Sequence, residues 1–265
     1  MNVMRALRRF LFLMCLLALL VGAGGYWLRA NYIVPVMMYH HVLPSASRRA
    51  DSVSPERFEM HMSFLRKGDY NVIGLDQLVA GLSSGRRFPF KTVAVTFDDG
   101  YQDNIDHALP VLRKHRIPAA FFVSPFKFGR VEEFAFMDWP QIKALQREGM
   151  IIGSHGLEQR YLPEITEREQ ETEIFDSKRL LEAELAQRID FYAYPVGGFT
   201  DRVKAKIKAA GYLGAFTTNR GTDRFNRDVY EINRIRFSDR DDSEFILWAK
   251  LTGFYNLFRE MKDPH

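Results

Sequence analysis

Lys91-Thr-Val-Ala-Val-Thr-Phe-Asp-Asp-Gly100 is an apolar, β-branched run that stops at two adjacent carboxylates and a glycine. Val93, Val95 and Phe97 share one parity and Ala94 and Thr96 the other, so both faces are apolar, as in a strand covered on two sides. The stretch predicts a parallel-sheet strand that delivers Asp98 and Asp99 to a rim. In α/β folds, loops leaving the C-terminal ends of such strands build binding and catalytic sites. Two readings of the acid pair stand at this point. They reach a ligand, or they form a turn and a cap for the helix that starts near Tyr101.

Both directions from this strand repeat one unit. Downstream, Ala108 to Lys114 reads as helix and Ile117 to Val123 as strand. Pro140 to Glu148 reads as a helix closed by Gly149, and Met150 to His155 as a strand that delivers a histidine. A long charged helix from Glu167 to Gln187 reads as a solvated outer layer. Phe191 to Gly198 is a strand ending in a glycine turn, Val203 to Ala210 a helix, and Leu213 to Thr217 and Ile232 to Phe237 are strands. Upstream, Val34 to Val42 reads as one buried strand ending in His40 and His41, which point to opposite sides. Ser54 caps a helix with Pro55 at its first position and Phe58, Met62 and Leu65 as its apolar stripe; His61 beside that stripe reads as packing. Asp76 to Leu82 is a second short helix. Strand-helix alternation with polar residues at the strand ends predicts a barrel-like parallel sheet. The aromatic segment Phe126 to Met137 reads as a loop that either buries itself or lines a groove. Glu244 to Phe258 reads as a helix packing Phe245, Trp248, Leu251, Tyr255 and Phe258 on the barrel, with membrane contact as the alternative.

At 265 residues and 46% hydrophobic, the chain suits one large domain. A net charge of +4, part of it in Arg5, Arg8 and Arg9, leaves no basic stripe for nucleic acid. The single cysteine, Cys15, excludes an internal disulfide and a cysteine zinc cluster, so any metal relies on histidine and carboxylate. Phe10 to Leu28 is a 19-residue run without a charge, long enough to cross a bilayer core. Arginines crowd its N-terminal flank and only Arg29 follows closely, which predicts a cytoplasmic stub and signal-anchor over residues 1–30 and an extracytoplasmic domain over 31–265. The alternative is a cleaved signal peptide at Ala23-Gly24-Gly25, but the apolar run continues through Leu28.

Thr96-Phe-Asp-Asp-Gly100, Gly153-Ser-His155 and Tyr194-Pro-Val-Gly197 occur in the order and context of the polysaccharide deacetylase family, the NodB-homology group, and the chain resembles that family over about residues 34–240. Tyr39-His40 and Asn233-Arg234-Ile235 resemble the poly-N-acetylglucosamine deacetylase branch, in which the histidine of the usual last motif comes first. The resemblance implies an α/β fold of the irregular (β/α) barrel type and hydrolysis of an N-acetyl group on an amino sugar. It further implies Asp98 as base, Asp99 and His155 as metal ligands, the backbone N–H of Val196 as oxyanion donor, and Pro195, Tyr194 and Arg234 beside it on the substrate side. His40 is the candidate acid and His41 its rival.

The chemistry asks for these residue types. An amide is a poor electrophile with a poor leaving group; a divalent metal polarises it and acidifies water, a carboxylate takes the water's proton, and an acid protonates the amine. Imidazole suits zinc, cobalt or nickel. Two departures from the family pattern stand out. Ala193 replaces the arginine that orients the base, with Arg234 as a possible substitute from a neighbouring strand. Gln159 replaces the second ligand histidine, with Glu158 as a competing donor. The expected function is a membrane-anchored, metal-dependent N-deacetylase acting on an amino-sugar polysaccharide or glycolipid of the envelope. The alternative from another class is an impaired deacetylase-like domain that only binds carbohydrate. A glycosidase is disfavoured, because adjacent carboxylates on one strand end cannot flank a sugar.

Overall fold

The computed structural model describes residues 2–44, 50–130, 133–218, 223 and 225–258. Helix α1 (Asn2–Ala30) precedes β1 (Val36–Tyr39), β2 (His41–Val42), β3 (Ser52–Val53), α2 (Pro55–Lys67), β4 (Asn71–Val72), α3 (Leu75–Ser83) and β5 (Thr92–Phe97). Then come α4 (Leu109–His115), β6 (Ala120–Val123), α5 (Trp139–Arg147), β7 (Ile151–Ser154), α6 (Glu167–Glu171), α7 (Ser177–Leu185) and β8 (Phe191–Ala193). The chain continues through α8 (Asp201–Ala209), β9 (Gly214–Thr217), β10 (Ile232–Asn233), β11 (Ile235–Arg236) and α9 (Glu244–Lys250).

The main sheet runs β10-β9-β8-β7-β6-β5-β1-β11, with β4 paired to the first two residues of β5, and all of its pairings are parallel. Its two ends belong to one strand. Ile232 and Asn233 pair with β9, whereas Ile235 and Arg236 are on the β1 side. Arg234 is the residue between, so the sheet curls into a nearly closed barrel whose seam is that arginine. The single strand expected over Ile232–Phe237 is thus split, because its halves bond to opposite neighbours.

Alternation sorts the side chains into two packing layers. Val36, Ala94, Ala120, Phe122, Ala193, Phe216 and Ile232 form one cluster, joined by Leu75 and Leu78 of α3. Met37, Tyr39, Val93, Val95, Phe97, Phe121 and Ile152 form the other, against apolar stripes of the surrounding helices. Phe97 stacks on Phe121 at 4.7 Å between ring centres. Asp98 continues the parity of Ala94, and Arg234 that of Ile232. Both therefore belong to the barrel-interior side at the C-terminal mouth.

Ser54 caps α2 as expected, its Oγ accepting from the Arg57 N–H. His61 is packing: Tyr39 Oη lies 2.9 Å from Nδ1, and Nε2 lies 2.8 Å from the Asp241 carbonyl. Three expectations are corrected. The strand from Val34 breaks at His40, which lies between β1 and β2. The helix from Glu167 is continuous but carries a π-helical turn at Thr172–Asp176 that buries Glu173, so it is not a purely solvated layer. The C-terminal helix stops at Lys250 and buries Leu247 and Leu251, leaving Phe245 and Trp248 71% and 53% exposed instead of packed on the barrel. Among the described residues, one helix is long and apolar enough to cross a membrane, Phe10–Ala30, and no part of its apolar window is buried in the fold.

Candidate active site

The mouth of the barrel gathers the residues singled out in the sequence. Asp98, where β5 ends, is 2% exposed and receives two parallel hydrogen bonds from Arg234, Nη1 to Oδ1 at 2.5 Å and Nη2 to Oδ2 at 2.7 Å. Arg234 also reaches Thr96 Oγ1 at 3.4 Å and is 1% exposed. Its guanidinium is thus committed to Asp98 and does not present itself to a substrate. The fork fixes the carboxylate plane, as a bidentate arginine does. Arg234 makes this contact from the neighbouring strand, while Ala193 is buried and gives its carbonyl to His155.

Asp99 turns away from Asp98 because its backbone is left-handed, at φ 73°, followed by Gly100 at φ 77°. Glycine is required there: a Cβ on Gly100 would also press against Val123 Cγ1 at 3.2 Å. Asp99 Oδ1 lies 3.3 Å from His155 Nε2 and 3.3 Å from Gln159 Nε2. Burial works to raise the Asp99 pKa, but the hydrogen bond from His155 and the nearby His40, His155 and His41 rings outweigh it and bring it down to about 2. Burial likewise opposes the charged His155, yet the Asp98 and Asp99 carboxylates overcome it and raise the imidazole above its ordinary range.

This trio fits a divalent metal. His155 Nδ1 lies 2.8 Å from the Ala193 carbonyl and must donate to it, which aims Nε2 at the Asp99 carboxylate. Without a metal, a proton on Nε2 answers the Asp99 carboxylate at 3.3 Å; once that proton leaves, the lone pair and the carboxylate face one place that a cation can take, and the backbone carbonyl behind the ring is the usual support of a ligand histidine. Among the described residues, no three His, Cys, Asp or Glu side chains converge, so Gln159 is the third neighbour. Glu158 is exposed, and its N–H bonds to Glu173; it is not turned toward Asp99.

The two histidines do face opposite ways. His40 has the interior parity and a buried Nδ1 with no hydrogen-bond partner among the described residues. Burial lowers its pKa, while Asp99 and Asp98 pull it upward. His41 is fully buried, with Nδ1 2.6 Å from Asp103 Oδ2 and its ring stacked on Tyr101 at 3.6 Å. Phe134 covers the same ring, so the aromatic segment buries itself here; residues 131 and 132 of that segment lie outside the described residues. Asn104 ties the pair together, donating from Nδ2 to the His40 carbonyl and to Asp103 Oδ1, both at 2.7 Å.

Beyond β8, Val196 adopts φ 58°, ψ 1°, a left-handed conformation that costs a β-branched residue roughly 1–2 kcal/mol. Its N–H has no partner among the described residues, and its side chain is 75% exposed. Tyr194 and Pro195 are buried; Tyr194 Oη donates to the Tyr230 carbonyl at 3.0 Å and its ring stacks on Phe199 at 4.8 Å. Tyr194 holds the turn and offers nothing to a ligand, contrary to its expected place beside the substrate.

Sequence reasoning missed Asp103, Asn104 and Glu173. The first two carry a local signal, an acid and an amide in the first turn after Asp98-Asp99-Gly100. Glu173 carries none. Its carboxylate accepts from the N–H groups of Leu157 at 2.9 Å and Glu158 at 3.1 Å, and a Cβ on Gly156 (φ 85°) would sit 2.4 Å from it. It thereby shapes the loop that carries Gln159.

The family model for polysaccharide deacetylases matches residues 85–215. Among curated proteins, YxkH of Bacillus subtilis (strain 168), which bears the name of a polysaccharide deacetylase, is 29% identical over 205 residues, covering 77% of this chain and 71% of that protein. The poly-beta-1,6-N-acetyl-D-glucosamine N-deacetylase of Staphylococcus aureus (strain MRSA252) is 26% identical over 200 residues, covering 71% of this chain and 68% of its own. Among solved structures, the Streptococcus pyogenes deacetylase PplD in complex with acetate superposes with a TM-score of 0.73 at 26% identity, covering 82% of this chain and 97% of that one. Sequence and barrel agree: the chain carries a polysaccharide deacetylase domain, the kind found in hydrolases of amide bonds in carbohydrates.

Proposed function

We propose that the protein is a metal-dependent N-deacetylase of an amino-sugar polysaccharide, held at the outer face of a membrane by α1. The observation that carries this reading is the adjacency of two differently held carboxylates. Asp98 is clamped by Arg234, whereas Asp99 faces His155 and Gln159. Asp99, His155 and, once its amide is turned over from the pose in which Nε2 donates to Asp99, the carboxamide oxygen of Gln159 would hold the metal, whose chemistry when bound is to polarise the acyl oxygen and acidify water.

The remaining steps belong to the chain. Asp98, fixed in plane by Arg234, takes the proton of the attacking water. The Val196 N–H, already directed by a strained turn, donates to the oxygen that becomes negative as the carbonyl turns tetrahedral. His40, on the interior side of the mouth, hands a proton to the leaving amine. His41 is sealed beneath Tyr101 and Phe134, so it supports His40 instead of replacing it. Similarity to a poly-N-acetylglucosamine deacetylase makes β-1,6-linked N-acetylglucosamine the first substrate to try.

Acetate release from that polymer, with metal content measured in parallel, tests the assignment. Asp98→Asn is expected to abolish release while keeping metal, Asp99→Asn to lose both, and His40→Ala to slow turnover by about 10²- to 10⁴-fold with metal retained. Near-normal turnover in Asp98→Asn sinks the mechanism. Polymer binding without acetate release under any metal favours the second reading, a carbohydrate-binding domain, which the missing second histidine motivates.

A further inference from the structure

We infer that the base of the barrel carries a binding site for the phosphate of an anionic phospholipid, formed by Arg29, Arg86, Arg87 and Arg227 where α1 meets the domain. The inference rests on α1 being an uncleaved membrane anchor. A cleft of about 330 Å³ opens there, lined by residues that precede β1, β5 and β10, at the end of the barrel opposite Asp98 and His155.

Four arginines line this cleft, and no Asp or Glu does among the described residues. None of the four has a carboxylate partner among those residues either. Asp228, next to Arg227 in the chain, gives its oxygens to Lys204 Nζ and the Tyr230 N–H, and Asp223 spends its own on the N–H groups of Phe225, Arg227 and Asp228. The guanidinium groups are instead braced on aromatic rings. Arg29 lies 5.2 Å from the Phe90 centroid, Arg86 5.8 Å from Phe88, Arg87 5.4 Å from Tyr26 and Arg227 4.9 Å from Phe225. A ring face steadies the cation without satisfying its N–H donors, which suit phosphate oxygens. Among the described residues only Arg29 spends a guanidinium donor, on the Phe88 carbonyl at 2.5 Å.

The height of the cleft selects lipid as the source of that phosphate. The 21 residues of Phe10–Ala30 span about 30 Å as a helix, the thickness of the hydrocarbon core, so Arg29 emerges at headgroup level. Tyr26, Trp27 and Phe90 are 65%, 52% and 49% exposed around it, in the manner of an interfacial aromatic belt. A lipid seated in this cleft also turns the opposite end of the barrel, with its carboxylates, away from the bilayer. The glycan served by such a mouth is a strand that extends from the membrane surface.

Native mass spectrometry of the full chain released from detergent containing phosphatidylglycerol or phosphatidylcholine of equal acyl length tests this. The expectation is retention of phosphatidylglycerol over phosphatidylcholine, with the Arg86→Gln/Arg87→Gln variant binding it roughly tenfold to thirtyfold more weakly. Unfolding temperature and acetate release should be unchanged in that variant, which reports that it folds. Equal retention of the two lipids, or retention indifferent to the substitutions, overturns the site. Inorganic phosphate binding as tightly as phosphatidylglycerol overturns the lipid assignment. A mature N-terminus between residues 23 and 31 removes the anchor on which the inference stands. Failure of acetate release in the wild-type chain would count against the deacetylase reading alone, since lipid retention needs no catalysis.

Discussion

Arg234 Nη1 and Nη2 grip Asp98 Oδ1 and Oδ2 at 2.5 and 2.7 Å across the seam where the barrel closes. One residue therefore joins the last strand to both of its neighbours and orients the candidate base. Removing either partner leaves the other as an unpaired charge in a site at most 2% exposed, which costs about 3–5 kcal/mol. Arg234→Gln is expected to lower stability by that order and acetate release by about 10²-fold, the scale set by a mispositioned reacting group. Arg234→Lys keeps the charge without the fork and should recover stability more than turnover. The double variant Arg234→Gln/Asp98→Asn should be more stable than the sum of its parts predicts yet inactive. Additive losses in unfolding experiments would mean that the two side chains do not depend on one another.

Val196 offers a separation of backbone from side chain. Glycine accepts φ 58° without the Cβ clash, so Val196→Gly should raise stability by about 1 kcal/mol. If the oxyanion donor is the main-chain N–H, turnover stays within about threefold of wild type, because the donor survives the change. A loss of a hundredfold or more with the Michaelis constant unchanged would transfer the role to the valine side chain or to a rearranged turn.

His61 predicts an acid-sensitive fold independent of the active site. Burial lowers its pKa from 6.5 to about 4, against the pull of the Asp241 carbonyl and carboxylate. Between those values the unfolded chain binds a proton that the folded chain refuses, so stability falls as pH drops through this window and levels off below about 4. From pH 7 to about 4.5 the wild type should lose about 2 kcal/mol relative to His61→Gln. Thermal unfolding of both at the two pH values measures the difference; parallel curves would mean that His61 takes up its proton without unfolding.

The strand Thr92–Phe97, its two apolar faces and the direction of Asp98 were all legible, because each follows from a period of two over a run too long to misread. The opposition of His40 and His41 followed from the same rule. The Arg234 clamp could only be guessed, since 136 residues separate the partners and only barrel closure brings them together. Glu173 was hidden by its surroundings: a charged helix reads as solvated, and the π turn that swings one acid inward leaves no mark in composition. The aromatics of Glu244–Lys250 misled because a seven-residue helix has one buried face, and Leu247 with Leu251 took it.

Gln159 stands beside the candidate metal, where the resemblance leads one to expect a second ligand histidine. Its carboxamide nitrogen donates to Asp99 Oδ1 at 3.3 Å, so turning the amide over brings its oxygen toward an ion held by Asp99 and His155. An amide oxygen is a weaker donor to zinc than imidazole, so metal should bind loosely and activity should rise with added zinc, cobalt or nickel. The backbone favours the exchange in two respects. Glu173 pins residues 157 and 158, so a new side chain at 159 starts from the same loop, and residue 159 is left-handed, at φ 66°, which histidine tolerates better than most residues. Gln159→His should therefore bind zinc more tightly, by about tenfold or more, and reach full acetate release at lower metal. Asp99→Asn in the same background should erase the gain. Metal titration by calorimetry alongside acetate release decides the matter: unchanged affinity would put residue 159 outside the coordination shell, and tighter metal without acetate would leave carbohydrate binding as the function of the mouth.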